Sequence, residues 1–356
     1  MKIVIKVGTQ SILKEDGSPI EPLLKKLVKQ IVLLLQANHH VILVSSGAVG
    51  SGRKVASTFL QKPHNNTVGE KQLLASIGQP ELINIYSALF KTENILVSQL
   101  LLTKQDFQTR QHYLNIARLL SELLKYQNII PIINENDSVA IEELMFTDND
   151  ELAGLIAAQV NADYLLLLTN VDGVFTGDPK HPEAKLIDVI DPNDSWPIIT
   201  AAKSALGRGG MLAKLTTARK MSTLGIQTTI ANINTKDVIT RIINHEKVGT
   251  TILATKKTSN IKRWLALHNK KQLPGIIINN NLLNLLKENN RVLSILPVGI
   301  VSYVGEWQRG DLIDILDIES KRIGVGLARY DQKRLDEYIG EKNKPAFIHY
   351  DYLHIL

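Results

Sequence analysis

The feature that most constrains this chain is a regular alternation in its first 250 residues. Short apolar runs at Ile3–Val7, Val41–Ser45, Ile95–Ser98, Ile129–Ile133 and Tyr164–Thr169 are separated by longer stretches of helical texture. The helical stretches are Glu21–Ala37, Gly69–Lys91, Thr109–Tyr126 and Glu151–Val160. In the first of them Leu24, Leu27, Val28, Ile31, Leu34 and Leu35 trace one face at helical spacing. A strand that is apolar at every position needs cover on both faces, which a parallel sheet flanked by helices supplies. The alternation therefore predicts an α/β three-layer sandwich on a mainly parallel sheet.

Ligands of such sheets bind outside the carboxyl ends of the strands. The unusual residues fall there: Gly8 and Thr9 after the first run, Ser46 and Gly47 after the second, Asn134–Asp137 after the fourth and Asn170 after the fifth. From Gly275 the texture changes. Strands become short, at Ile276–Ile278, Gly299–Val304, Leu312–Leu316 and Arg322–Ala328, and glycines punctuate them. This predicts a small, mostly-β C-terminal domain, a barrel or sandwich. The expected division is 1–250, a linker at 251–274, and 275–356.

Composition narrows the chemistry. The chain has no cysteine, which removes thiol nucleophiles, disulfides and cysteine-based metal sites. Its 356 residues hold no apolar run near the roughly 20 residues a membrane helix requires, and Lys6 interrupts the opening apolar segment. A soluble, cytoplasmic protein with no membrane partner is expected. Lys and Arg number 41 against 35 Asp and Glu. The excess is local: Lys256, Lys257, Lys262, Arg263, Lys270 and Lys271 stand in 251–274 without an acid. Such a stretch reads as a solvated connector or, alternatively, as a contact for nucleic acid.

Five segments carry candidate chemistry. Lys6 in a buried strand must point its ammonium at an anion, either a structural partner or a ligand, and Gly8 permits close approach to the backbone. Ser45–Gly52 combines three glycines and three serines at a strand-to-helix turn, which suits an anion or a tight turn. Asn134–Ser138 and Thr147–Asp150 concentrate amides and carboxylates that suit an amine-bearing ligand. Asp148 or Asn149 also fits a helix cap. Thr169–Pro179 is a turn-rich loop after a buried strand, compatible with a simple connector. Gly207–Lys214 places glycines before a helix and a cation one turn in, which suits polyphosphate. None of the nine histidines falls in these segments, so no general base or histidine-held metal is evident. Lysines, glycine turns and carboxylates at strand ends suit phosphoryl transfer, where positioning and charge neutralisation do the catalytic work. A carboxylate acceptor, with a reference pKa near 4.3, is ionised at neutral pH and needs no base.

Taken together, Lys6–Thr9, Ser46–Gly50, Ile133–Asp137, Asp148–Asp150, Asp172–Pro179 and Gly209–Lys214 resemble the amino acid kinase family in order and spacing, over essentially the whole chain. Leu296–Ile300, Gly305 and Arg309–Asp311 resemble a PUA domain. The resemblance implies ATP-dependent phosphorylation of the L-glutamate γ-carboxylate, the first step of proline synthesis. It also implies roles for single residues. Ser46, Gly47, Asp137, Asp148 and Asn149 would bind glutamate. Lys6 and Lys214 would flank the transferring phosphoryl group, with Asp150 orienting both. ATP would be held by Lys6, Gly8, Thr169, Asn170, Asp172, Phe175, Arg208, Gly209, Gly210, Met211 and Lys214. Mg²⁺ is implied, carried largely by phosphate oxygens, with no protein ligand assigned. Feedback inhibition by proline and a homo-oligomer, dimer or tetramer, are further expectations.

Four positions depart from the family pattern. Asn170 stands where Asp is usual, Arg208 and Ala213 where Thr is usual, and Thr147 where Gly is common. Three of them lie on the presumed nucleotide side, so they bear on ATP affinity more than on glutamate recognition. Two rival readings are an acetylglutamate or uridylate kinase of the same superfamily, and an RNA-binding protein with an impaired kinase domain. Against the last, residues from Gly275 onward are acidic by one charge, whereas RNA-binding domains present a basic face.

Overall fold

The computed structural model describes residues 1–60, 67–107, 110–140, 148–179, 181, 183–194, 196–197, 210–255, 273–287 and 293–355. The chain divides into two compact units, Met1–Lys257 and Thr258–Leu356. Most of the basic stretch expected as a linker, residues 256–272, lies outside the described residues.

The first unit is built on one sheet of eight strands: β1 (Lys2–Val7), β2 (His40–Ser45), β3 (Leu96–Leu102), β4 (Ile129–Glu135), β5 (Tyr164–Thr169), β6 (Val189–Ile190), β7 (Gln227–Asn232) and β8 (Thr250–Ile252). Their order is β3-β4-β2-β1-β5-β7-β8-β6. From β3 to β7 every pairing is parallel, and only β8 runs antiparallel to its neighbour β7. The helices are α1 (Thr9–Ile12), α2 (Glu21–Gln36), α3 (Ala48–Leu60), α4 (Val68–Lys91), α5 (Arg110–Leu123), α6 (Asn149–Val160), α7 (Met211–Thr223) and α8 (Val238–Ile243).

β1 lies at the point where the connections reverse, with β2 on one side and β5 on the other. The carboxyl ends of β2, β1 and β5 therefore open a crevice at the topological switch point. Alternation along β1 sets what each face meets. Ile3, Ile5 and Val7 join the apolar layer made by α2, α4 and α8. Val4 and Lys6 face the opposite side, where α6 packs over β1 and β5 with α5 and α7 beside it. α6 is buried almost all round, from Leu152 to Val160, as a central helix of a three-layer sandwich must be.

α3 and α4 cross at a pair of glycines. A Cβ on Gly52 would lie 1.8 Å from the Leu74 carbonyl oxygen, and one on Gly78 would lie 1.9 Å from that of Ala48. Only glycine at both positions lets the two backbones meet so closely. Of the three glycines expected to shape a ligand loop, Gly47 alone sits at the turn with φ +112°. Gly50 packs under Leu13, and Gly52 makes the helix crossing.

The second unit holds a five-stranded sheet in the order β10-β9-β11-β12-β13. The strands are β9 (Gly275–Ile278), β10 (Ile300–Val304), β11 (Leu312–Leu316), β12 (Arg322–Leu327) and β13 (Leu353–Ile355), with helices α9 (Asn280–Lys287) and α10 (Gln332–Tyr338). β9 and β11 are parallel and the other pairs antiparallel. Its core is aromatic: Trp307, Tyr330 and Phe347 meet edge to face, and Trp307 Nε1 donates to the Tyr330 carbonyl. Among the described residues no helix is long and apolar enough to cross a membrane.

Candidate active site

The charge expected opposite Lys6 is Asp150. Its carboxylate is fully buried on the first turn of α6, and its two oxygens meet two different lysines. Lys6 Nζ lies 2.7 Å from Oδ1, and Lys214 Nζ lies 2.9 Å from Oδ2. Lys6 arrives from β1 and Lys214 from one turn inside α7, so three elements converge on one carboxylate. Burial works to raise the Asp150 pKa, but the two ammoniums outweigh it and bring it down to about 2. β1, α6 and α7 thus bring two lysines to one carboxylate.

Asp148 caps the same helix. Its Oδ1 accepts from the backbone N–H of Asp150 and Glu151, at 2.9 and 3.1 Å. Its Oδ2 is buried without a partner. Burial and the neighbouring Asp150 carboxylate push its pKa up to about 6, against the pull of Lys6.

Asn149, between the two, opens a network of amides. Its Nδ2 donates to the Ser45 carbonyl at 3.0 Å, to Ser46 Oγ at 2.7 Å and to Asn134 Oδ1 at 2.9 Å. Asn134 in turn donates from Nδ2 to Gln79 Oε1 at 2.7 Å. Asn149 Oδ1 is left buried without a partner. Ser46 and Asn149 are thus hydrogen-bonded to each other, with Asp148 and Asp150 on either side of Asn149. Asp137 lies beyond them, on the wall of a cleft of about 340 Å³ that Gln79, Asn136 and Ala48 also line.

On the other side of β1, Thr169 ends β5 and Asn170 follows. Asn170 Nδ2 donates to the Gln10 carbonyl at 3.0 Å, and Asp172 accepts from Asn232 Nδ2 at 2.9 Å. These contacts run to α1 and β7 and not to the lysines. Phe175 pairs with Leu186 across a small hairpin excursion. Gly210 is the extended N-cap of α7, with open space where its Cβ would be, and Met211 opens the helix. Gly8 caps α1, and its missing Cβ would make only ordinary contact with Lys6. Arg208, Gly209 and Thr147 lie outside the described residues.

The network contains residues that sequence reasoning did not single out. Gln79 is the clearest, and a signal for it was present. It lies on the buried stripe of α4 formed by Ala75, Gly78, Leu82 and Tyr86, a polar residue where the period demands an apolar one. Tyr86 is a second, fully buried with its Oη 3.0 Å from Ser45 Oγ. Asn232 at the end of β7 is a third.

A buried carboxylate thus lies between two lysines, at the carboxyl ends of parallel strands and beside a polar amide pocket. The profile of the amino acid kinase family matches residues 1–232, and that of the PUA domain matches residues 275–344. The chain belongs to the amino acid kinase family. Among its relatives, the protein named glutamate 5-kinase of Chlorobaculum tepidum is 43% identical over 100% of this chain and 97% of its own length. The glutamate 5-kinase of Bacteroides thetaiotaomicron is 38% identical over 99% of this chain and 98% of its own. A solved UMP kinase from Bacillus anthracis aligns at 19% identity with a TM-score of 0.48, over 72% of this chain and 96% of that one.

Proposed function

We propose that this chain is an ATP-dependent kinase that phosphorylates the γ-carboxylate of L-glutamate, giving glutamyl 5-phosphate at the start of proline synthesis. The observation that carries the reading is Asp150 held between Lys6 and Lys214. Full-length similarity to relatives named glutamate 5-kinase selects the acceptor.

In this reading a γ-carboxylate oxygen forms a bond to the γ-phosphorus of ATP. The bond to the bridging oxygen breaks, and ADP leaves with the electron pair. No proton moves, because the acceptor is already ionised. The obstacle is two anions approaching each other, and the two ammoniums offset it. Asp150 fixes their spacing and supplies the counter-charge that makes burying them affordable. Asn149 and Ser46 hold the amino acid, with Asp148 and Gly47 beside them, and Asp137 faces its ammonium. Thr169, Asn170, Asp172, Phe175 and the loop 208–214 take the nucleotide.

Mg²⁺ enters with ATP in this reading and supplies further charge neutralisation when bound. Both oxygens of Asp150 are engaged by lysines, and among the described residues no group of three His, Cys, Asp or Glu is placed to hold a metal ion. The residues present therefore suit an ion carried by phosphate oxygens; Asp148 Oδ2 is buried without a hydrogen bond, whereas Asp150 Oδ1 has its ion pair to Lys6. Proline as feedback inhibitor, a homo-oligomer and a cytoplasmic location belong to the same proposal. The RNA-binding alternative is not favoured.

The test is ATP turnover with glutamate, N-acetylglutamate, aspartate and UMP compared, with hydroxylamine trapping any acyl phosphate. Hydroxamate formed with glutamate alone is the expected result. Turnover with UMP or N-acetylglutamate in preference would contradict the acceptor assignment.

A further inference from the structure

Backbone groups fix the orientation of every amide in the network, and the fixing ends at Gln79. The backbone N–H of Glu135 can only donate, so the Asn134 atom it meets at 2.9 Å must be the carbonyl oxygen Oδ1. Asn134 Nδ2 then faces Gln79, so the Gln79 atom 2.7 Å away must accept and is Oε1. Gln79 Nε2 is thereby turned away from Asn134. No described residue accepts from it. Gln79 is 8% exposed, and what it lines is the 340 Å³ cleft shared with Asp137. A buried amide has been set, by two successive contacts, as a hydrogen-bond donor on the wall of that cleft.

The cleft lacks the group one would expect for an amino acid. Among the described residues that line it there is no lysine, arginine or histidine. An α-carboxylate entering here must be met by neutral donors. We propose that Gln79 is a specificity-determining residue, whose Nε2 donates a hydrogen bond to the substrate α-carboxylate while Asp137 faces the α-ammonium. The inference rests on the glutamate-kinase reading and deepens it. Reading the α-carboxylate separates glutamate from 4-aminobutyrate, which has the same chain, amine and reacting carboxylate but lacks that group.

The test uses the full chain and Gln79→Glu. This variant keeps a carboxylate oxygen for Asn134 Nδ2 to donate to, so the network stands, and it removes the donor facing the cleft. The expected result is a glutamate KM raised roughly 10- to 100-fold, the range for a lost hydrogen bond to a charged group. The preference for glutamate over 4-aminobutyrate in kcat/KM should shrink by a similar factor, and the ATP KM should move far less. A wild-type glutamate KM and preference in Gln79→Glu would overturn the inference. So would an equal rise in KM for both acceptors, since that reports disturbed packing and not a lost reader of the α-carboxylate. If Gln79→Glu does not fold, Gln79→Met carries the same preference test, because it keeps the bulk and drops both polar atoms. Wild-type protein that forms no hydroxamate from glutamate would overturn the underlying reading, and the inference with it.

Discussion

At the scale of single residues the site is a problem in burying charge. Asp150 has no exposure, and Lys6 and Lys214 have almost none, so each depends on the others. Lys214→Ala should cut kcat roughly 10²-fold or more, the loss expected when one preorganised charge contact to a transition state is removed. Steady-state kinetics check this, and an unchanged kcat would refute the role of Lys214. Asp148 gives a prediction about pH. Its folded pKa of about 6 lies above the reference value of 3.8, so between about pH 4 and 6 the folded state binds more protons than the unfolded one. Its contribution is present below the unfolded value and is lost as pH rises through about 6. Asp148→Asn keeps the helix cap and drops the buried charge. The variant should therefore gain thermal stability relative to wild type at pH 8, and the gain should close toward pH 4.5. Thermal melts across that range test it, and a gain that grows on acidification would contradict it. The partner of Lys6 was foreseeable, because an ammonium in a buried strand demands an anion. The orientation of Gln79 was not, because it follows from hydrogen bonds to Asn134 and Glu135 across elements distant in sequence.

At the scale of elements, α6 carries the site because its first turn presents Asp148, Asn149 and Asp150 together. The helix dipole favours negative charge there, while the neighbouring Asp148 and Asp150 carboxylates oppose each other. α3 and α4 hold the cleft, and their glycine crossing sets how near α4 comes. Gly78→Ala should destabilise the protein by at least about 2 kcal/mol, because the new methyl meets backbone that must shift. Chemical denaturation measures this, and a change within about 0.5 kcal/mol, the size of an ordinary surface substitution, would show that the crossing adjusts freely. The strands β1, β2 and β5 were legible because burial on both faces leaves a continuous apolar run. β7 was not, since Gln227–Asn232 buries Thr228 and Thr229 and has no such run. The glycines of Ser45–Gly52 also misled, because helix packing and ligand approach demand the same residue.

At the scale of the whole molecule, every described residue assigned to chemistry lies within Met1–Lys257, and each unit has its own apolar core. A fragment ending at Lys257 should therefore fold and form hydroxamate from glutamate and ATP. A folded fragment with no activity would place part of the site in the second unit. The division into a parallel α/β unit and a small β-rich unit was visible in the change of texture near Gly275. The strand order was not, because it is fixed by crossovers that leave no local mark.

The central claim is that a glutamate γ-carboxylate oxygen attacks the γ-phosphorus of ATP within the Lys6–Asp150–Lys214 cluster. The most direct measurement supplies glutamate labelled with ¹⁸O in its γ-carboxylate, together with ATP, Mg²⁺ and hydroxylamine. Hydroxylamine attacks the acyl carbon, so the bridging oxygen leaves with the phosphate. The account predicts glutamyl hydroxamate and inorganic phosphate carrying one ¹⁸O in equal amounts. Phosphate without label, released while glutamate stays unmodified, would mean that the site hydrolyses ATP with water and that the account is wrong.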